Sequence, residues 1–203
     1  MMRAIKLFIK QKYPNKELII VDDSPTDVPN LSIPKMSNVT YIRLSSRRSI
    51  GYKRNLALTH ARGNIFMFWD DDDYYSCNRI HIQVKPIIDN LCDITVFSSI
   101  TYYNAKTDSC YKTSDKDHNL IWYNGYASGS LTCKYSLFNT IKFKHTNIAE
   151  DRDFIIEATK RGARILTVPN KMDYIYTRHA SNSFDIPKVH KITVKHHQKL
   201  KLL

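Results

Sequence analysis

Four adjacent carboxylates, Asp70-Asp71-Asp72-Asp73, follow directly on the apolar run Ile65-Phe66-Met67-Phe68-Trp69. Neighbouring carboxylates repel one another and resist ionisation unless a cation or solvent offsets them, so a divalent metal accounts for the run economically. Oxygen donors suit Mg²⁺ or Mn²⁺. A solvated acidic turn is the simpler reading of an isolated Asp run. The apolar strand in front of it decides otherwise, because ligands of open α/β sheets sit beyond the carboxyl ends of the strands. Five apolar residues without alternation suit a strand covered on both faces, as in the middle of a parallel sheet.

Three other segments offer matching chemistry. Asp22-Asp23-Ser24 closes the short apolar strand Glu17 to Val21, and an acid there can accept from a nucleobase imide or a ribose hydroxyl. An Asx-turn is the bland alternative. Gly51-Tyr52-Lys53-Arg54-Asn55 opens a helix, and a helix N-terminus with basic side chains suits a phosphate. Glu150-Asp151 stands in the first turn of another helix, where the dipole favours an ionised carboxylate such as a general base requires. Asp151 is the candidate base. Near the C-terminus, His179 in Arg178-His179-x-x-Asn182 has an imidazole able to join carboxylates around Mn²⁺, although a lone His is more often a surface residue.

The elements that must position these groups alternate. Helical periodicity covers Ala4 to Tyr13, Gly51 to Ala61, Arg79 to Ile88 with Pro86 inside, and Glu150 to Arg161 with Gly162 as its stop. Strand-like runs cover Glu17 to Val21, Val39 to Leu44, Asp93 to Ser99, Ser130 to Cys133 and Arg164 to Val168. The Tyr-rich stretch from Thr101 to Tyr126 reads as hairpins and loops, and the aromatic faces of Tyr102, Tyr103, Trp122 and Tyr126 could stack on sugar rings or equally belong to the core. Such alternation predicts a three-layer α/β domain around a mainly parallel sheet. A single domain is expected over residues 1–185, with a basic C-terminal helix over 186–203.

Bulk properties narrow the partners. The 203 residues carry 31 Lys and Arg against 19 acids, a net charge of +12 that favours anionic ligands. The basic residues form no continuous stripe interleaved with aromatics, so there is no strong nucleic-acid signal. The four cysteines, Cys77, Cys92, Cys110 and Cys133, lack C-x-x-C spacing and read as free thiols. With no apolar leader or spanning run, a cytoplasmic protein is expected, with peripheral membrane contact through the basic terminal helix as a further option.

Together these residues resemble the family 2 glycosyltransferases of the GT-A fold. The matching order is Glu17-Leu-Ile-Ile-Val-Asp-Asp-Ser24, Arg54-Asn55, Ala61-x-Gly63 leading to Asp70 to Asp73, Glu150-Asp151 with Gly162, and Arg178-His179-x-x-Asn182. The resemblance implies sugar transfer, inverting at the sugar, from a UDP- or GDP-sugar to a hydroxyl of a glycan, protein or lipid. By the same resemblance, Asp22 and Asp23, Arg54 and Asn55, and Asp70 and Asp71 bind the nucleotide sugar. Asp72, Asp73 and His179 hold Mn²⁺ or Mg²⁺, Asp151 is the base, and Glu150 orients the acceptor. The assignment within Asp70 to Asp73 stays open because the run permits more than one alignment.

One departure stands out. Members of this family normally open with an apolar strand ahead of the helix that here starts near Ala4. Its loss exposes strand edges and favours self-association. A missing N-terminal segment is the expected explanation. The alternatives are a non-catalytic relative acting as a binding module, or a substitute strand from another segment or chain. A metal-dependent nuclease is the competing enzyme class.

Overall fold

The computed structural model describes residues 1–25, 36–113, 118–119, 123–179 and 191–193. Among the described residues the α-helices that frame the fold are α1 (Met2–Ile9), α2 (Ile50–Thr59), α3 (Arg79–Ile88), α4 (Tyr135–Phe138) and α5 (Glu150–Lys160). The first strands are β1 (Leu18–Asp22), β2 (Val39–Arg43), β3 (Ile65–Met67) and β4 (Tyr74–Tyr75). Then come β5 (Ile94–Phe97), β6 (Thr101–Asn104), β7 (Ser109–Thr113) and β8 (Ala127–Lys134). The last are β9 (Ile165–Val168), β10 (Tyr174–Arg178) and β11 (Lys191–Thr193).

The strands form three hydrogen-bonded groups: β1-β2, β3-β8-β5-β9, and β11-β7-β6-β10-β4. Direction is mixed, with β1·β2, β5·β9 and β6·β10 parallel and the other pairs antiparallel. Alternation along β5 shows how the layers assemble. Ile94 and Val96 enter a core with Phe143, Phe154 and Ile155 on the α5 side. Thr95 Oγ1 donates to the Gln83 carbonyl of α3 at 2.9 Å, and Phe97 joins Tyr75, Tyr102 and Tyr174. Helices therefore cover both faces, which is the expected three-layer α/β arrangement.

Two expectations are corrected. The apolar run at Ile65 is a strand only to Met67, lying at the end of its four-stranded group and, among the described residues, pairing only with the antiparallel β8. The strands divide at that point, so β3 has no parallel neighbour among the described residues. Within the expected C-terminal helix over 186–203, Lys191–Thr193 instead form β11 against β7, and the rest lies outside the described residues. β-branched Ile192 and Thr193 suit a strand, and the edge of β7 supplies the backbone partners.

Gly51 shows how tightly α2 is seated. A Cβ there would collide with the Lys144 carbonyl oxygen, and Gly51 N donates to Thr146 O at 3.1 Å. Gly51→Ala is expected to cost about 1–3 kcal/mol through forced backbone displacement, read as a lowered Tm by calorimetry.

Asp93, just before β5, locks β8 to β9. It accepts from Lys134 Nζ at 2.8 Å and from Arg164 N and Nε at 3.0 and 3.2 Å. The Arg164 hydrogen bonds hold its carboxyl well below the usual range against partial burial. A depressed folded-state value stabilises above the unfolded pKa of about 4 and is lost as pH falls. Asp93→Asn should lower the Tm at neutral pH and flatten its decline across about pH 5 to 3, measured by thermal denaturation across pH.

Candidate functional site

The acidic segments converge on one cavity of about 1470 Å³. Asp22 and Asp23 from the end of β1, Asp70 to Asp72 beyond β3, and Glu150 with Asp151 at the start of α5 all line it. β1 and β3 run the same way. Glu17 at the start of β1 accepts from Arg62 N and Gly63 N ahead of β3, at 2.7 and 2.9 Å, while both acidic ends lie at the opposite rim.

Each carboxylate has a distinct environment. Asp22 is buried and accepts from Ser24 N at 2.8 Å, Tyr41 Oη at 2.7 Å and Arg43 Nη1 at 2.6 Å. Burial alone would raise it, but the hydrogen bonds from Ser24, Tyr41 and Arg43 outweigh that and hold it far below the usual range. Asp23 accepts from Arg48 N and Lys53 Nζ, both at 2.8 Å, which lowers its carboxyl despite burial. Asp71 projects outward and pairs with the Met1 ammonium at 2.9 Å. Burial raises Asp70, with Arg54 pulling it down and Asp72 and Asp151 pushing it up.

Asp73 is 1% exposed and accepts from Tyr174 Oη and Thr177 N, both at 2.8 Å. Burial, together with Asp70 and Asp72, lifts its carboxyl well above the usual range. Expected among the metal ligands, Asp73 has both oxygens engaged by β10 in this structure. Both oxygens fasten the Asp run to β10, and that attachment brings the next carboxylate to the imidazole. His179 Nε2 lies 2.7 Å from Asp72 Oδ2.

The basic residues also divide. Arg54 Nη1 is 2.8 Å from Glu150 Oε1 and 3.9 Å from Asp151 Oδ2, with its guanidinium 4.0 Å above the Phe68 ring. Burial raises the Glu150 carboxyl while Arg54 draws it down. Asn55, expected at the nucleotide, instead clamps the main chain of Phe143: Nδ2 donates to its carbonyl at 2.8 Å and Oδ1 accepts from its N–H at 2.9 Å. An amide satisfied at both ends by one residue's main chain is a structural fastener.

Arg79 was not found from sequence. It is fully buried, with its guanidinium 4.3 Å from the Tyr75 ring centre, 5.1 Å from Trp69 and 5.2 Å from Tyr174. Nε donates to Gln83 at 3.0 Å, while Nη1 and Nη2 have no hydrogen-bond partner among the described residues. The only sequence signal is a charge on the apolar face that Ile80, Val84 and Ile87 define. Among the aromatic candidates, Tyr102 is core, stacked on Tyr111 at 5.2 Å, and Tyr126 packs partly buried against the core. Tyr103 donates to Asp108 at 3.0 Å, and Trp122 lies outside the described residues.

The Arg54–Glu150 pair yields a test. Removing one member of a buried pair costs about 3–5 kcal/mol because the other charge stays uncompensated. Arg54→Met should therefore destabilise markedly, and Arg54→Met with Glu150→Gln should recover part of the loss, as measured by urea denaturation.

Comparison with known proteins follows the same lines. The sequence model described as Glycosyl transferase family 2 matches residues 2–147. The chain is 29% identical over 89 residues to UDP-Glc:alpha-D-GlcNAc-diphosphoundecaprenol beta-1,3-glucosyltransferase WfgD of Escherichia coli, covering 43% of this chain and 35% of that one. It is 36% identical over 87 residues to the putative colanic acid biosynthesis glycosyl transferase WcaA of Escherichia coli (strain K12), covering 39% and 30%. These matches thus span about a third of each relative's length. The crystal structure of S. aureus TarS 1-349 in complex with UDP-GlcNAc superposes with a TM-score of 0.67 at 21% identity, covering 89% of this chain and 55% of that one. At that identity the likeness establishes a shared fold.

Proposed function

Since the chain belongs to glycosyl transferase family 2, we propose that it transfers a sugar from a nucleoside diphosphate sugar to an acceptor hydroxyl. The observation carrying this reading is the convergence of Asp23, Asp70, Asp72, Glu150 and Asp151 on one cavity, with His179 against Asp72. A uridine nucleotide is the favoured donor base, because the named relative WfgD uses UDP-Glc and the TarS complex holds UDP-GlcNAc.

The chain's own residues divide the work. Asp23, held ionised by Lys53 and the Arg48 amide, accepts from the base or ribose. Asp151 takes the proton of the attacking hydroxyl, and single displacement inverts the anomeric centre. Glu150, fixed by Arg54, orients the acceptor. The rim of the cavity excludes competing water once the donor is seated.

Asp72 and His179 supply an oxygen and a nitrogen donor 2.7 Å apart. Among the described residues no three His, Cys, Asp or Glu side chains form a metal cluster. Mg²⁺ typically takes one or two protein carboxylates and completes its shell with substrate phosphates and water, and imidazole extends the set toward Mn²⁺. The donors present fit that pattern. A bound ion there would offset the charge developing on the leaving diphosphate.

At a hundredfold excess over Kd, UDP with Mn²⁺ is expected to stabilise the chain by about 2.7 kcal/mol. That corresponds to a rise in Tm of roughly 5–10 °C. Asp72→Asn should remove the metal-dependent part. Asp151→Asn should keep the shift yet abolish transfer from UDP-sugars, measured by UDP release. No shift with either UDP or GDP plus metal would overturn the reading.

A further inference from the structure

Arg43 closes β2 opposite the last residue of β1, with Asp22 as its cross-strand partner. Paired residues of neighbouring strands project from the same face of a sheet, so the guanidinium reaches over the turn that follows Asp22. Nη1 donates to Asp22 Oδ2 at 2.6 Å, and Nη2 donates to the Ser24 and Pro25 carbonyls at 2.5 and 3.1 Å. One planar fork thus grips the chain on both sides of Asp23. An ammonium on a flexible stem offers no such fixed set of donors.

Other bonds complete the clamp. Asp22 Oδ1 accepts from Ser24 N at 2.8 Å, closing an Asx-turn, and Oδ2 also accepts from Tyr41 Oη at 2.7 Å. Leu44 N donates to Asp22 O at 2.8 Å, so main-chain bonding to β2 reaches the base of the turn. Asp23 itself accepts from Arg48 N in the loop after β2 and from Lys53 Nζ of α2. The bonds from Arg43 to the Ser24 and Pro25 carbonyls lie at the surface, where water would satisfy those oxygens equally well. What the guanidinium adds is a fixed direction for the turn.

Asp22, Asp23 and Ser24 line the cavity, whereas Tyr41 and Arg43 do not. Arg43 can therefore reach a ligand only through the turn it holds. We propose that Arg43 is a positioning residue for nucleoside recognition: its guanidinium fixes the turn 22–25 in the geometry that presents the Asp23 carboxylate to the base or ribose of a nucleoside diphosphate. This rests on the nucleotide-sugar reading of the site and adds to it a residue outside the cavity that sets how tightly the nucleoside half is held. The donors assigned to the metal and diphosphate, Asp72 and His179, belong to other segments and do not depend on this turn.

The test compares the 203-residue chain with its Arg43→Lys and Arg43→Met variants by isothermal titration with UDP and with inorganic pyrophosphate, each in the presence of Mn²⁺. Pyrophosphate keeps the metal contact and lacks the nucleoside. The Kd for UDP is expected to rise about tenfold in Arg43→Met, and nearly as far in Arg43→Lys, which keeps a charge beside Asp22 but loses the fork. The Kd for pyrophosphate should stay within about twofold in both variants. A weakened fold would affect the two ligands alike, so equal losses for UDP and pyrophosphate would overturn the proposal. Unaltered UDP affinity in Arg43→Lys would do the same, and that variant decides alone should Arg43→Met fail to fold. Without ligand, the Ser24 amide should exchange its hydrogen faster in the variants, and unchanged exchange would also count as refutation. If the unaltered chain binds neither UDP nor pyrophosphate, the sugar-transfer reading falls as well; UDP binding indifferent to Arg43 sinks this proposal only.

Discussion

The buried carboxylate of Asp73 governs the geometry of the whole site. A carboxylate removed from water is tolerated only with partners at both oxygens, and Tyr174 Oη and Thr177 N are those partners. Both belong to β10, so the acidic run after β3 is pinned to a strand a hundred residues later in the chain. Two residues beyond Thr177 on that strand's path lies His179, and one residue before Asp73 lies Asp72. The contact between Asp72 and His179 is thus a consequence of the deeper attachment. A substitution at Asp73 would act on the imidazole through β10 without touching any ligand.

Charge balance around that anchor is asymmetric. Toward the cavity, Arg54 faces Glu150 and Asp151 from a perch over Phe68. Behind the cluster, Arg79 lies among the rings of Trp69, Tyr75 and Tyr174, whose faces attract a cation. Burial first, then the nearby carboxylates, keeps the Tyr174 phenol protonated and hence a donor to Asp73. Tyr75 completes the set by donating to the Asp70 carbonyl at 3.1 Å. The carboxylates are therefore held by donors and cations from two faces of the sheet, with the side toward the cavity left for a ligand.

The helices and strands of the α/β frame were mostly legible, because apolar periodicity and Gly stops are local signals. Gly162 sits at φ +85° just after α5, where the sequence placed the stop. Terminal segments fared worse. Lys188 to Lys201 reads as a cationic helix by composition, yet Lys191–Thr193 pair with β7, because an open strand edge outweighs a weak helical preference. The apolar run after Gly63 reads as a central strand of a parallel sheet, and only strand pairing places β3 at the end of its group beside the antiparallel β8.

For the site, the sequence by itself determined which residue types were available and in what order: an acid pair, an acid run, an acidic helix start and a late imidazole. Short-range pattern carries that much, since each sits at the end of an apolar element that cannot be buried with it. Tertiary structure alone decided which carboxylates remain open. Asp22 and Asp73 are engaged by donors from β2 and β10, and Asn55 by Phe143. The same side chains in the same order would serve either purpose; the difference lies in partners brought by long-range pairing, which no spacing along the chain encodes.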